Sequence, residues 1–301
     1  MTQRESSGVS DEVQYEIVHT TRYTYDETKR SSVMSLCMKP REEIGQKLVS
    51  YSLSIDPESL IDVDMDIFGN SRHMFDIHRP HEHLTITSTA TVSRTSRQSS
   101  SDDLETTQWN ELRTYENDWR HWEYLQPSEL TRTSADLRDW IKQLGELCLE
   151  SPYEFLKSLE RRLSESITYR PGRTTIESTV DDILLHREGV CQDISQLMIA
   201  ISRAWGIPSR YVSGYLYDEP GETRHFADNA THAWVECMIP EFGWCSFDPT
   251  NPDASEIARI AVGYGRDYRD VPPVKGITMG EGSTDMDVNV IVLRVRSQSR
   301  G

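Results

Sequence analysis

One apolar run constrains this chain more than any other feature. Ile194, Leu197, Met198, Ile201 and Trp205 recur at helical spacing, fenced by Gly189-Val190 before them and Gly206-Ile207-Pro208 after. The run predicts a helix that begins at Cys191, with Gly206 in the left-handed C′ position and Pro208 preventing continuation. Strand patterns follow at Ser209 to Tyr217, His232 to Ile239 and Trp244 to Asp248. Helical patterns precede it. Helices first and antiparallel strands after them predict an α+β domain.

The preceding helices have distinct signatures. Ala135 to Leu149 presents Leu137, Trp140, Ile141, Leu144 and Leu147 on one face. Ser151 suits an N-cap and Pro152 the first helical position of the next, whose buried stripe is Phe155, Leu156, Leu159 and Leu163. A short helix is predicted from Thr179 to His186 after a loop at Tyr169-Arg170-Pro171-Gly172, and Trp109, Leu112, Trp119 and Trp122 predict one with an aromatic face. From Tyr15 onward the pattern is instead β. Strands are predicted at Ser31 to Met38, Lys47 to Ile55, Ser71 to His78 and Leu84 to Val92, punctuated by Pro40, Pro57, Gly69-Asn70 and Pro80. The organisation read from this is a disordered 1–11, a β-sandwich-like module over 12–95 and a linker with a helix over 96–130. A core over 131–276 follows, then a C-terminal strand (Val288 to Val295) and tail over 277–301.

Charge excludes some partners. Formal net charge is −17, from 49 acidic against 32 basic residues, which argues against nucleic acid and against an anionic membrane surface. No segment has the apolar core of a signal peptide or the length to cross a bilayer. The five cysteines, Cys37, Cys148, Cys191, Cys237 and Cys245, are scattered without a Cys-x-x-Cys pair, so neither a disulfide scaffold nor a zinc knot is predicted. The expected compartment is a reducing cytoplasm. His73, His78, His81 and His83 cluster, but their spacing fits no common ligand pattern and Pro80 interrupts them; they read as a solvated strand-turn-strand face, with no metal and no cofactor.

The chemistry centres on Cys191. At a helix start, first-turn N–H groups and the helix dipole favour a thiolate. A thiolate nucleophile needs a base and a group to orient that base. His232 opens one strand and Asp248 closes the next, joined through Pro240-Glu241-Phe242-Gly243. A hairpin centred on residue 240 would put them opposite each other, and one centred on 241 would make them diagonal neighbours. Both registers put them on one face, within reach. In this reading Cys191 attacks an amide or ester carbonyl, and His232 moves the proton. Asp248 orients the imidazole, and backbone N–H groups including that of Cys191 receive the oxyanion. Trp234, Trp244 and Tyr169 are the candidate substrate-binding residues, and Cys237 and Cys245 read as core packing across the same hairpin.

Several ordered motifs carry a family likeness. Gly189-Val190-Cys191-Gln192-Asp193, Arg203-Ala204-Trp205-Gly206-Ile207-Pro208 through Tyr215, His232-Ala233-Trp234-Val235-Glu236 and Phe247-Asp248-Pro249-Thr250-Asn251 resemble the bacterial transglutaminase-like superfamily. Gly265-Arg266-Asp267-Tyr268-Arg269-Asp270-Val271-Pro272-Pro273 looks like a signature of its protease-like branch. Tyr15 to His19 and Asp66-Ile67-Phe68-Gly69-Asn70 are similar to that branch's β-rich N-terminal region. Cys245 and Ser195 depart mildly from the pattern. The resemblance implies a papain-like, transglutaminase-core α+β fold, preceded by an antiparallel β-rich module, with a Cys–His–Asp triad at Cys191, His232 and Asp248. It implies a peptide or protein substrate and leaves the acyl acceptor, water or an amine, open; a non-catalytic binding module whose triad is vestigial is the further alternative. The chain is shorter than animal transglutaminases with their extra β-sandwich domains, which tilts the expectation towards hydrolysis. Nothing in the sequence sets an oligomeric state.

Overall fold

The computed structural model describes residues 12–96, 108–116, 118–143, 150–219 and 231–295. The N-terminal strands are β1 (Val13–Lys29), β2 (Ser31–Leu36), β3 (Gln46–Asp56), β4 (Asp62–Met65), β5 (Ser71–Ile77) and β6 (His81–Arg94). The middle of the chain holds α1 (Arg113–Glu116), α2 (Trp119–Trp122), α3 (Ala135–Gln143), α4 (Pro152–Ser166), β7 (Thr168–Tyr169), α5 (Val180–His186), β8 (Glu188–Gly189) and α6 (Cys191–Ala204). Six strands complete it: β9 (Ser209–Leu216), β10 (His232–Ile239), β11 (Gly243–Phe247), β12 (Arg259–Gly265), β13 (Val274–Met279) and β14 (Thr284–Val295).

Two four-stranded sheets, ordered β14-β1-β6-β3 and β13-β2-β5-β4, form a sandwich. Alternation along each strand buries Tyr25, Ile55, Leu84 and Ile86 from the first sheet against Met34, Leu36, Phe75 and Ile77 from the second. The other half of the first sheet serves a different core. Val13, Tyr15, Ile17 and Val92 pack with the buried residues of α4 and α6. β13 and β14 come from the far end of the chain to complete the sandwich, β14 pairing with β1 from Gln14↔Val295 to Tyr25↔Thr284.

The second part is an antiparallel sheet, β11-β10-β9-β12, with α6 lying across it. From Asp193 to Arg203 every residue of α6 is buried, which makes it the central helix of the main core. Gly206 follows at φ +76°, as a left-handed C′ residue should. Ser151 caps α4 by accepting from the Glu154 N–H at 3.1 Å, with Pro152 in the first turn.

Three expectations are corrected. The aromatic-faced helix is instead a 3₁₀ turn at Trp109–Leu112 followed by α1 and α2. Asp118 accepts from the Arg120 N–H and starts α2 afresh, leaving Trp119 and Trp122 exposed, while Trp109 packs on Phe155 and Trp205. The histidine face is only half solvated, because alternation turns His73 inward with Phe75 and Ile77, and His81 is buried against Ser32. Tyr169 is not simple loop but pairs in parallel with Gly189. Residues 144–149, with Leu144, Leu147 and Cys148, lie outside the described residues, as do 1–11 and most of the linker. No helix among the described residues is long and apolar enough to cross a membrane.

Candidate active site

Cys191 is the first residue of α6 and is 8% exposed. Two contacts fix the chain on entering the helix. Asp193, in the first turn, accepts from the Val190 N–H at 2.8 Å and from the Thr174 hydroxyl at 2.5 Å. Burial raises the Asp193 carboxyl above its ordinary value, and those two donors oppose the rise. Gly189 must be glycine for space rather than for φ. A Cβ there would come within 2.8 Å of the Asp193 Cβ. Behind it, the Arg170 N–H bonds the Gly189 carbonyl at 2.9 Å, extending the β7–β8 pairing.

His232 and Asp248 meet as diagonal neighbours. Val235 pairs with Phe247 and Cys237 with Cys245, a hairpin centred on residue 241, and Asp248 lies one residue past β11. His232 Nε2 donates to Asp248 Oδ2 at 2.7 Å with both residues buried. Cys191 is coupled to the same imidazole, and with Nε2 committed to Asp248 the remaining ring nitrogen is Nδ1. Burial alone would lower His232. The Asp248 charge and hydrogen bond, with the Cys191 contact, outweigh it and raise the imidazole to about 10. Asp248 shows the complementary balance: burial opposes ionisation, and the His232 charge and hydrogen bond hold it below the usual carboxylate range, helped by Arg259.

The second oxygen of Asp248 is saturated. Oδ1 accepts from the Thr250 N–H (3.1 Å), the Thr250 hydroxyl (2.7 Å) and the Asn251 N–H (3.1 Å). Its own N–H donates to Glu160 Oε1 at 2.7 Å, and Glu160 is salt-bridged to Lys157 at 2.5 Å. Burial raises the Glu160 carboxyl, against the pull of Lys157. Sequence reasoning missed Glu160, although a signal was present: it is a carboxylate four residues after Leu156 and beside Leu159, on the buried stripe of α4.

The substrate-binding candidates are dispersed. Trp244 pairs with Met238, six residues along β10 from His232, or about 20 Å at the rise of a strand. Arg210 lies over its ring there and Tyr124 meets it edge-on, so the expected position flanking the triad is corrected. Trp234 does lie against the His232 ring, at 6.1 Å, but it is 2% exposed and wedged over Gly214, where a Cβ would sit 2.5 Å from its ring. It supports the imidazole from beneath and lines no open surface. Tyr169 stays close, two residues' pairing from Cys191.

The open surface lies elsewhere. A cleft of about 710 Å³ between sandwich and core includes Thr231, Ile176, Tyr268 and Pro272 in its walls. Tyr268, Arg269, Pro272 and Pro273 form one side. Tyr268 packs on the buried Tyr211, and the Arg203 guanidinium at the end of α6 donates to the Arg266 carbonyl at 2.8 Å. Arg203 was also missed as an anchor. It further donates to the carbonyls of Gln126 and Ser209.

The fold and these residues together define a transglutaminase-like α+β protein. The chain belongs to the transglutaminase-like superfamily, whose pattern matches residues 144–249, with the bacterial transglutaminase-like N-terminal region matching residues 15–93. An uncharacterized protein of Mycobacterium tuberculosis is 34% identical over 300 residues, covering 92% of each chain. A Cytophaga hutchinsonii structure provisionally assigned as a cysteine protease shares the fold at TM-score 0.76 and 20% identity, covering 96% of this chain and 93% of that one. A protein-glutamine gamma-glutamyltransferase of Pseudomonas aeruginosa is 36% identical over 92 residues, 30% of this chain and 14% of that protein.

Proposed function

We propose that this protein is a thiol hydrolase that cleaves peptide or isopeptide amides through an acyl-enzyme. The observation that carries the reading is the buried His232, hydrogen-bonded to Asp248 at 2.7 Å and coupled to Cys191 at the head of α6. The Cys191 thiolate attacks the carbonyl carbon, and backbone N–H groups at the start of α6 receive the oxyanion. Collapse breaks the C–N bond, and the leaving amine takes the His232 proton. Water then attacks the thioester, gives its proton to His232, and releases a carboxylate and the thiolate. Asp248 holds the imidazole throughout and favours its cationic form. The provisional protease assignment of the Cytophaga hutchinsonii fold relative agrees with water as acceptor.

A second reading keeps the same triad and transfers the acyl group to an amine, favoured by the local likeness to the Pseudomonas aeruginosa gamma-glutamyltransferase. One experiment separates them. Wild type and Cys191→Ala are incubated with a peptide library, with and without putrescine, and products are identified by mass. New carboxylates that depend on Cys191 support hydrolysis, and putrescine adducts support transfer. If Cys191→Ala gives the same products as wild type, both readings fail.

A further inference from the structure

The cleft beside the triad lies where two strands part. β13 and β14 are consecutive, joined by residues 280–283, yet each becomes the outer strand of a different sheet. Val274, Lys275 and Gly276 on β13 face Met286 and Val288 on β14 across the split, with Tyr23 of β1 behind. Its volume, about 710 Å³, is that of a ligand site.

The open edge of β13 has a defined phase. The Cys37 N–H bonds the Pro273 carbonyl at 2.9 Å, and β2 and β13 pair in continuous antiparallel register from there. Bonded and unbonded residues alternate in such a pair, so Val274 and Gly276 turn their N–H and C=O groups away from β2. These are strand-edge groups at the wall of a cleft. A neighbouring polypeptide in extended conformation would satisfy them.

Three links, two along the chain and one through packing, connect the cleft to the triad. Thr231 in its wall immediately precedes His232, Ile176 lies two residues past Thr174, which bonds Asp193, and Tyr268 rests on Tyr211. Charge distinguishes the occupant further. Arg269 is taken up by Glu129 and Glu177, whereas Lys275 is exposed and has no ion pair among the described residues. In a chain of net charge −17 this leaves a local cation at the cleft.

We propose that the acyl-donor polypeptide binds in this split as an extended strand along β13, pairing with Val274 and Gly276. One apolar side chain is seated against Met286 and Val288, and an acidic side chain meets Lys275. The proposal rests on the thiol-enzyme reading above and names its substrate's conformation and side-chain preference.

The test uses the full chain and follows alkylation of Cys191 by intact mass. The probes are acetyl-Glu-Leu-Val-Gly chloromethyl ketone, its Lys-for-Glu counterpart, and versions N-methylated at one backbone nitrogen at a time; iodoacetamide serves as the small control. The Glu probe should react faster than the Lys probe, and Lys275→Glu should reverse that order. N-methylation should slow alkylation at alternate positions only. Met286→Asp, at a side chain 56% exposed and so tolerant of change, should cut the peptide rate about tenfold and leave the iodoacetamide rate unchanged. Normal iodoacetamide labelling with peptide rates indifferent to N-methylation and to Met286→Asp overturns the cleft assignment alone. Iodoacetamide labelling that does not favour Cys191 over the other cysteines overturns the thiol-enzyme reading, and this proposal with it.

Discussion

The Asn70 carboxamide closes both backbone hydrogen bonds of Tyr264, accepting from its N–H at 2.8 Å and donating to its carbonyl at 2.7 Å. Gln46 does the same for Ala261, with both bonds at 2.8 Å. Two amide side chains of the sandwich thus stand in for a strand along the outer edge of β12, where unpaired groups would otherwise be buried. The Asp66-Ile67-Phe68-Gly69-Asn70 turn exists to aim one of them: Asp66 accepts from the Asn70 N–H and from its side-chain amide, each at 2.9 Å. Asn70→Ala leaves the Tyr264 N–H and C=O unsatisfied, at a cost of roughly 2–5 kcal/mol. Thermal denaturation should show a clearly lowered midpoint. An unchanged midpoint would mean that the sandwich does not brace β12.

Cys191 is a small side chain at the head of a helix whose packing is supplied by its neighbours. Leu197, Met198 and Ile201 are each fully buried and each contribute about 1.5–3 kcal/mol. Cys191→Ala should therefore change stability by less than about 1 kcal/mol while lowering Cys191-dependent turnover at least about a thousandfold. Paired denaturation and turnover assays check this. Retained turnover would remove Cys191 from the chemistry.

Much of this site was legible because its signals are local. Helical spacing and a fencing glycine put Cys191 at a helix start, and two adjacent strands brought His232 to Asp248 through a register that arithmetic on the loop could bound. Other features depend on which strand lies beside which. Alternation assigns a face to each residue of β14 and no neighbour, so its pairing with β1, 259 residues or more away in sequence, was invisible. Trp244 shows the same gap from the other side. It is close to Asp248 in sequence, but strand rise carries it along β10 away from His232. Arg203 hid behind its residue type, since nothing local announces that an arginine ends a buried helix on carbonyl oxygens.

Glu160 reaches Asp248, the orienting member of the proposed triad, through the backbone. By accepting the Asp248 N–H it holds the start of the turn in which Thr250 and Asn251 cradle the carboxylate. Glu160→Leu removes that acceptor and should lower kcat about tenfold to a hundredfold, the effect of a displaced but chemically intact group. Glu160→Gln keeps an oxygen in place and should recover most of the loss. If both variants fall equally, the carboxylate charge, and not its position, is what matters.

The His232–Asp248 pair ties stability to pH, and on the thiol-enzyme reading it ties turnover to pH as well. His232 is raised from 6.5 to about 10 in the folded chain, so the stability it contributes is fully present below pH 6.5 and is lost as pH rises through about 10. Asp248 is lowered, so its share is present above the ordinary carboxylate value and is lost as pH falls through its depressed one. Asp248→Asn removes the charge that raises the imidazole. The variant should lose less stability than wild type between pH 6.5 and 10, as read by denaturant midpoints across that range. Its turnover should fall by about 10⁴, because an amide in place of the carboxylate no longer stabilises the imidazolium or fixes its tautomer. Leaving-group protonation needs the cationic ring, so the alkaline limb of kcat/KM should also move to lower pH in the variant. An alkaline limb that stays in place would show that His232 is not the proton donor to the leaving amine.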